Sequence, residues 1–207
     1  MPIGLKGNTD GSGAVQIGGS DAISISTGLN TTFAGTITAT GTVAGTTGTL
    51  YPIVSGTAVA STSGTAIDFT GIPSWVKRIT VMFSGVSTNG SALVIVQLGT
   101  SSGVETTGYS GVVSTTQNAA ATICLGLSVS FALAAANAAS SSYDGVATIN
   151  LVGSNRWAFQ SVVGAANNQV GNCGGSKTTA ATLDRVRITT ANGTDTFDAG
   201  TINILFE

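Results

Sequence analysis

The stretch Thr122-Ile123-Cys124-Leu125-Gly126-Leu127-Ser128-Val129-Ser130-Phe131-Ala132-Leu133 decides the fold class. It lies in a charge-free run from Ala119 to Ala136, close to the length of about 18 apolar residues at which a spanning helix becomes a candidate. Its large side chains, Ile123, Leu125, Leu127, Val129, Phe131 and Leu133, alternate with the small Cys124, Gly126, Ser128, Ser130 and Ala132. A period of two belongs to a strand with one face on a core, not to a helix. The nearest cations, Arg78 and Arg156, are too far away in sequence to anchor a helix at either end. The stretch therefore predicts a strand and no membrane insertion.

Strand patterns extend outward in both directions. Thr65 to Phe69 carries Ile67 and Phe69 on one face, and Trp75 to Phe83 aligns Ile79, Val81 and Phe83. Ala92 to Leu98 is apolar on both faces, as in a central strand. Gly145 to Val152, Arg156 to Val163, Leu183 to Thr190 and Thr201 to Phe206 follow. Ser87-Thr88-Asn89-Gly90 and Asn192-Gly193-Thr194-Asp195 read as turns, Asn-Gly being suited to positive φ. The Ser/Thr/Gly-rich segment before Thr122 reads as loop, as do the Ala-rich piece Ala132 to Ala139 and the polar run Asn167-Asn168-Gln169 with Asn172. Short strands at this spacing, with no convincing amphipathic helix, predict an all-β fold: an antiparallel β-sandwich, jelly-roll-like, over residues 51–207.

Residues 1–50 read differently. Gly7 to Gly13 is loop, and Ala14 to Ile17 and Ala22 to Ser26 are short alternating strands. Phe33 to Thr49 is low-complexity, Thr/Gly-rich and β-prone, because the branched Thr Cβ favours extended backbone. Few large apolar side chains are present, so the segment cannot form its own core. It predicts an extended N-terminal stem stabilised by copies of itself or by a partner. Ile23, Ile25, Phe33, Ile37 and Val43 are its candidate oligomer contacts.

Composition excludes more chemistry than it suggests. Only 8% of the 207 residues are charged, against about a quarter in ordinary domains. With no His, triads, metal sites and pH switches built on imidazole are ruled out. A net charge of -2 without any basic run argues against nucleic acid as a partner. The two cysteines, Cys124 and Cys173, are too few for a disulfide framework, and sequence alone does not show whether they pair.

No catalytic set assembles from the sequence. Glycoside hydrolysis needs two carboxylates flanking one bond. A pair such as Asp68 with Asp144 is the weak candidate, but the nine acids are scattered and read as turn formers. Asp195 and Asp198 lie in an acidic loop that lacks calcium-loop spacing, and a hairpin loop is the preferred reading. The expectation is no catalytic residue, no metal and no cofactor. Tyr109 and Tyr143 stand in polar segments and are expected to be exposed. With Asn167, Asn168, Gln169 and Asn172 they are the candidate contacts for a glycan or protein. Trp75 and Trp157 read first as packing residues.

The run Ser61 to Gly90 contains Ile67-Asp68-Phe69-Thr70-Gly71-Ile72-Pro73-Ser74-Trp75-Val76-Lys77-Arg78-Ile79. It continues through Gln97-Leu98-Gly99 and Glu105-Thr106-Thr107-Gly108-Tyr109-Ser110-Gly111. This run resembles a segment of tail-fibre and other structural proteins of tailed bacteriophages and prophages. The resemblance covers residues 55–115, and the rest of the C-terminal domain by pattern only. It implies a virion component assembled in the host cytoplasm, often trimeric, with an N-terminal part that docks to other virion proteins and a β-rich head. It brings no catalytic residues, and residues 1–50 match no docking module. The function expected is a non-enzymatic fibre or spike, a homotrimer presenting its sandwich to a host-surface glycan or protein. A capsid decoration protein without a receptor role is the alternative, and a glycan depolymerase stands behind both.

Overall fold

The computed structural model describes residues 4–7, 13–17, 20–21, 43–45 and 48–50 as backbone strands, and residues 53–118, 122–165 and 168–207 with their side chains. The chain divides into two compact units, Met1–Leu50 and Tyr51–Glu207. In the first, β1 (Gly4–Gly7), β2 (Gly13–Ile17) and β3 (Ser20–Asp21) form one antiparallel sheet, and β4 (Val43–Gly45) pairs with β5 (Gly48–Leu50). Val43 opens β4 opposite Leu50. Ile23, Ile25, Phe33 and Ile37 lie outside the described residues.

The second unit is an antiparallel sandwich of unequal layers. Its strands are β6 (Val54–Ser55), β7 (Val59–Ala60), β8 (Ala66–Thr70), β9 (Arg78–Thr88), β10 (Val94–Thr100), β11 (Gly103–Val104), β12 (Tyr109–Gln117), β13 (Ile123–Leu127), β14 (Phe131–Ala132), β15 (Tyr143–Gly153), β16 (Arg156–Ala165), β17 (Gln169–Thr178), β18 (Arg185–Thr190) and β19 (Phe197–Phe206). The large sheet has nine strands, in the order β13-β12-β17-β16-β15-β9-β19-β6, with β7 also on β19. The small sheet has five, β11-β10-β18-β8, with β14 on β10.

Alternation builds the core. Ile79, Val81, Phe83 and Val86 of β9, Ala147 and Ile149 of β15, Trp157, Phe159 and Val163 of β16, and Ile202 and Ile204 of β19 bury from the large sheet. Ile67 and Phe69 of β8, Val94 to Leu98 of β10, and Val186 and Ile188 of β18 meet them from the small one. Strand β10 is buried at every position, because it runs between β18 and the short β11 and β14. Phe131 stacks on Phe159 at 4.3 Å between centroids, with Tyr109 edge-on to Phe131 at 5.0 Å.

The stretch that decided the fold class is not one strand. It breaks into β13, on the rim of the large sheet, and β14, in the small sheet. Phe131 and Leu133 enter the core, whereas Ile123 and Leu125 remain 38% exposed and Val129 is also exposed. Strand β13 pairs on one side only, with β12, so its apolar face is only half covered.

Two segments read as loops are strands. Tyr109–Gln117 forms β12, and Gln169–Thr178 forms β17 between β12 and β16. Their Gly, Ser and Thr content hides the pattern, because only Tyr109, Val113 and Cys173 mark the inward side with apolar weight. Asn89-Gly90 is not a hairpin turn. It joins β9 to β10 across two sheets, and neither residue takes a left-handed φ. Asn89 instead clamps Thr196, its Oδ1 accepting the Thr196 N–H at 2.9 Å. Among the described residues the left-handed asparagines are Asn155 and Asn168, at the tips of the β15–β16 and β16–β17 hairpins.

The large sheet is bent across three strands. Register shifts interrupt β15–β9 between Tyr143 and Gly145, and β19–β9 between Phe197 and Thr201. Gly85 and Gly200 sit at these bulges with φ of 61° and 95°. A Cβ on Gly200 would stand 2.4 Å from the Gly85 carbonyl oxygen. Only glycine permits both the conformation and the approach.

Candidate functional site

The residues singled out from sequence do not form one site. Tyr109 is 5% exposed and Tyr143 1%. This corrects their placement as exposed contacts: each heads a strand and turns its ring into the core. The Tyr109 hydroxyl accepts the Leu98 N–H at 2.7 Å and donates to the Glu105 carbonyl at 2.9 Å. The Tyr143 hydroxyl lies 3.0 Å from Asn137 Oδ1, and burial pushes its pKa up to about 12. Neither ring is open to a ligand. Asn168 is exposed at the β16–β17 turn, and Gln169 is half-buried as the first residue of β17. Asn172 is exposed on the sheet itself, three residues further along β17. Asn167 lies outside the described residues.

The acids are occupied in holding turns and edges. Asp68 takes Arg187 in a two-pronged pair, both contacts at 2.7 Å, on the outer side of the small sheet. Asp144 accepts the Gly85 N–H at 2.8 Å from the outer side of the large sheet. The two therefore stand on opposite faces of the sandwich and cannot flank one bond. Asp195 accepts from Asn192 Nδ2 at 2.7 Å and from the Ala92 N–H at 2.9 Å, which holds its carboxyl below the usual range. Asp198 accepts from Ser87 Oγ. Among the described residues no three Cys, Asp or Glu side chains come together as a metal site, and no helix is long and apolar enough to cross a membrane.

The cysteines point apart. Cys173 is opposite Val113 on the core side, and Cys124 is opposite Ser114 on the outer side of β12. Both are free thiols, and burial raises the Cys173 pKa to about 11.

The feature that does stand out is the outer face of the large sheet. Registers across its strands place Asn203, Met82, Val146, Val162, Asn172, Ser114 and Cys124 in one row. The next row holds Leu205, Thr80, Thr148, Gln160, Gly174, Val112 and Gly126. Neither row contains a charge. Asp144 stands at one rim, and Arg78 and Arg156 at the other. Val112, Val146, Val162 and Val170 are all exposed, Val162 by 58%. Val146, Thr148, Gln160 and Val162 surround a shallow depression of about 190 Å³. A solvated sheet face is ordinarily polar and rich in Lys, Glu and Thr. This one offers valines among uncharged Asn, Gln, Ser and Thr side chains, so a covering surface has no charge to desolvate there.

Sequence reasoning reached this face only at Asn172 and at the small residues Cys124 and Gly126. The usable signal was the outward half of each alternation: Gly145 to Val152 carries no charge on either side, which is unusual for a strand with one wet face. No family model, no curated protein and no solved structure matches the chain.

Proposed function

We propose that the chain is a non-enzymatic structural protein of a tailed-phage virion, a fibre or spike that assembles as a homotrimer. In this reading residues 1–50 anchor it to other virion proteins, and the sandwich of residues 51–207 projects toward a host-surface glycan or protein. The observation that carries the reading is the charge-free outer face of the nine-stranded sheet. The likeness of residues 55–115 to phage fibre proteins agrees with it. The two uncharged rows, across six central strands spaced about 4.8 Å apart, present roughly 400 Å² in projection. The accessible area of a pleated surface is larger still, and specific interfaces bury about 800 Å² per partner. Uncharged faces suit contact with copies of themselves, since like charges never meet across the seam.

Light scattering on the full chain, and on the chain without residues 1–50, tests the reading. A trimer for the full chain is expected. A monomer in both cases removes the fibre reading and turns the search to attachment on a preassembled particle, as in a capsid decoration protein.

A further inference from the structure

The large sheet ends at β13. Among the described residues β13 pairs with β12 alone, so the backbone N–H and C=O groups along its far side have no strand beside them. An open edge of this kind is a template for a further strand, and proteins ordinarily blunt it by shortness, charge, proline or a bulge. The other border strands of this sandwich follow that rule. β6, β7, β11 and β14 are two residues long each. β8 is longer but carries Asp68, which is paired with Arg187. β13 has none of these devices. Its five residues, Ile123-Cys124-Leu125-Gly126-Leu127, include no charge and no proline, and they pair with β12 without a register shift.

The side chains of β13 fall into two sets. Ile123, Leu125 and Leu127 lie opposite Thr115, Val113 and Gly111, on the core side. Cys124 and Gly126 lie opposite Ser114 and Val112, on the outer side. Ile123 and Leu125 are each 38% exposed, and Val129, just beyond the strand, is 53% exposed. A strand that covers this edge must therefore be uncharged, large on the core side and small on the outer side. β13 itself meets all three conditions. Its pattern of large, small, large, small, large reads the same in both directions, so two copies can meet about a two-fold axis with each side chain beside one of similar size.

We propose that β13 pairs antiparallel with β13 of a second copy of this chain, about a two-fold axis at Leu125. Leu125 then lies beside Leu125 of the second copy, Ile123 beside Leu127 of the second copy, and Cys124 beside Gly126 of the second copy. A register one residue off would set the core-side leucines of one copy against the outer side of the other. No like charges meet across the seam, since neither β12 nor β13 holds a charged residue. The paired edge is about 17 Å long, which falls well short of the about 800 Å² per partner of a stable complex. The contact is therefore transient between free copies and gains strength where many copies are held together. Being two-fold, it is separate from the trimer contact of the fibre reading and does not rest on it.

Disulfide trapping tests the pairing and its register. Directly opposite residues on antiparallel strands have Cα atoms about 4.5–5.5 Å apart, and diagonal ones about 7–8 Å. A disulfide spans the first distance and not the second. In the proposed register Cys124 faces Gly126 of the second copy and is diagonal to Cys124 of the second copy. Gly126 has open space for a side chain and no left-handed φ, so a cysteine fits there. Cys173 is buried and does not compete. The full chain is mixed with its Cys124→Ser/Gly126→Cys variant and oxidised with diamide, and the covalent dimers are told apart by mass. The mixed dimer is expected to form roughly tenfold faster than the dimer of either protein alone, because only the mixed pair sets two thiols opposite each other. Amide hydrogen exchange on the unsubstituted chain gives a second reading, with β13 protection expected to rise with protein concentration. A mixed dimer no faster than the other two, a fast Cys124–Cys124 dimer of the unsubstituted chain, no covalent dimer at all, or β13 protection independent of concentration would each overturn the proposal.

Discussion

The Tyr109 hydroxyl binds the Leu98 N–H and the Glu105 carbonyl, while its ring lies under the Lys177 ammonium, 5.4 Å from Nζ. Lys177 is itself buried, paired with Glu105, and donates to the Thr178 carbonyl at 2.9 Å. A polar sequence around a tyrosine is thus consistent with a core position once the hydroxyl finds backbone partners. Glu105 is the charged counterpart. Burial alone would raise its pKa. The hydrogen bonds from Lys177 and the Ala180 N–H, with the Lys177 charge, outweigh that and hold it below its ordinary value. A carboxyl lowered in the folded state adds stability above its unfolded pKa, and the contribution is lost as pH falls through the folded value. Glu105→Gln is expected to destabilise the protein at pH 7 and to flatten the loss of stability below about pH 4.5. Urea melts between pH 7 and pH 3 measure this. An acid limb unchanged by the substitution would show that the pair contributes nothing to pH dependence.

At the scale of elements, the bends in β9, β15 and β19 depend on backbone freedom at a few points. Gly200→Ala places a methyl group 2.4 Å from the Gly85 carbonyl, in a left-handed conformation. A loss of about 3 kcal/mol is expected, seen as a lower urea midpoint with an unchanged slope. A change below about 0.5 kcal/mol would mean that the bulge relaxes freely. The elements also show where alternation misleads. β13 and β14 come from one unbroken period-two pattern, yet they serve different sheets. The pattern specifies which side chains share a face, but not how far the partner strand continues. Strands β12 and β17 make the opposite point. Gly111 and Gly175 let them pair closely, a Cβ on Gly111 falling 2.8 Å from the Gly174 carbonyl. Those same glycines made the segments read as loops.

At the scale of the whole molecule, the charge-free face of the large sheet carries the assembly prediction. Val162→Lys puts a cation in the middle of that face, at a position already open to solvent. The isolated sandwich is expected to keep its stability within about 0.5 kcal/mol, while light scattering shows the oligomer dissociating. An oligomer that survives the substitution would move the contact elsewhere. The sequence by itself determined the all-β class, since period-two alternation and turn residues are local properties of the chain. It also determined the absence of imidazole chemistry, which is a matter of composition alone. Only the tertiary structure decided which tyrosines are buried, which sheet each strand joins, that Cys124 and Cys173 point to opposite sides, and that β13 stands at the edge of the large sheet. Those facts depend on pairings between residues far apart in the chain, and no local pattern encodes the partner across the sheet or the layer behind it.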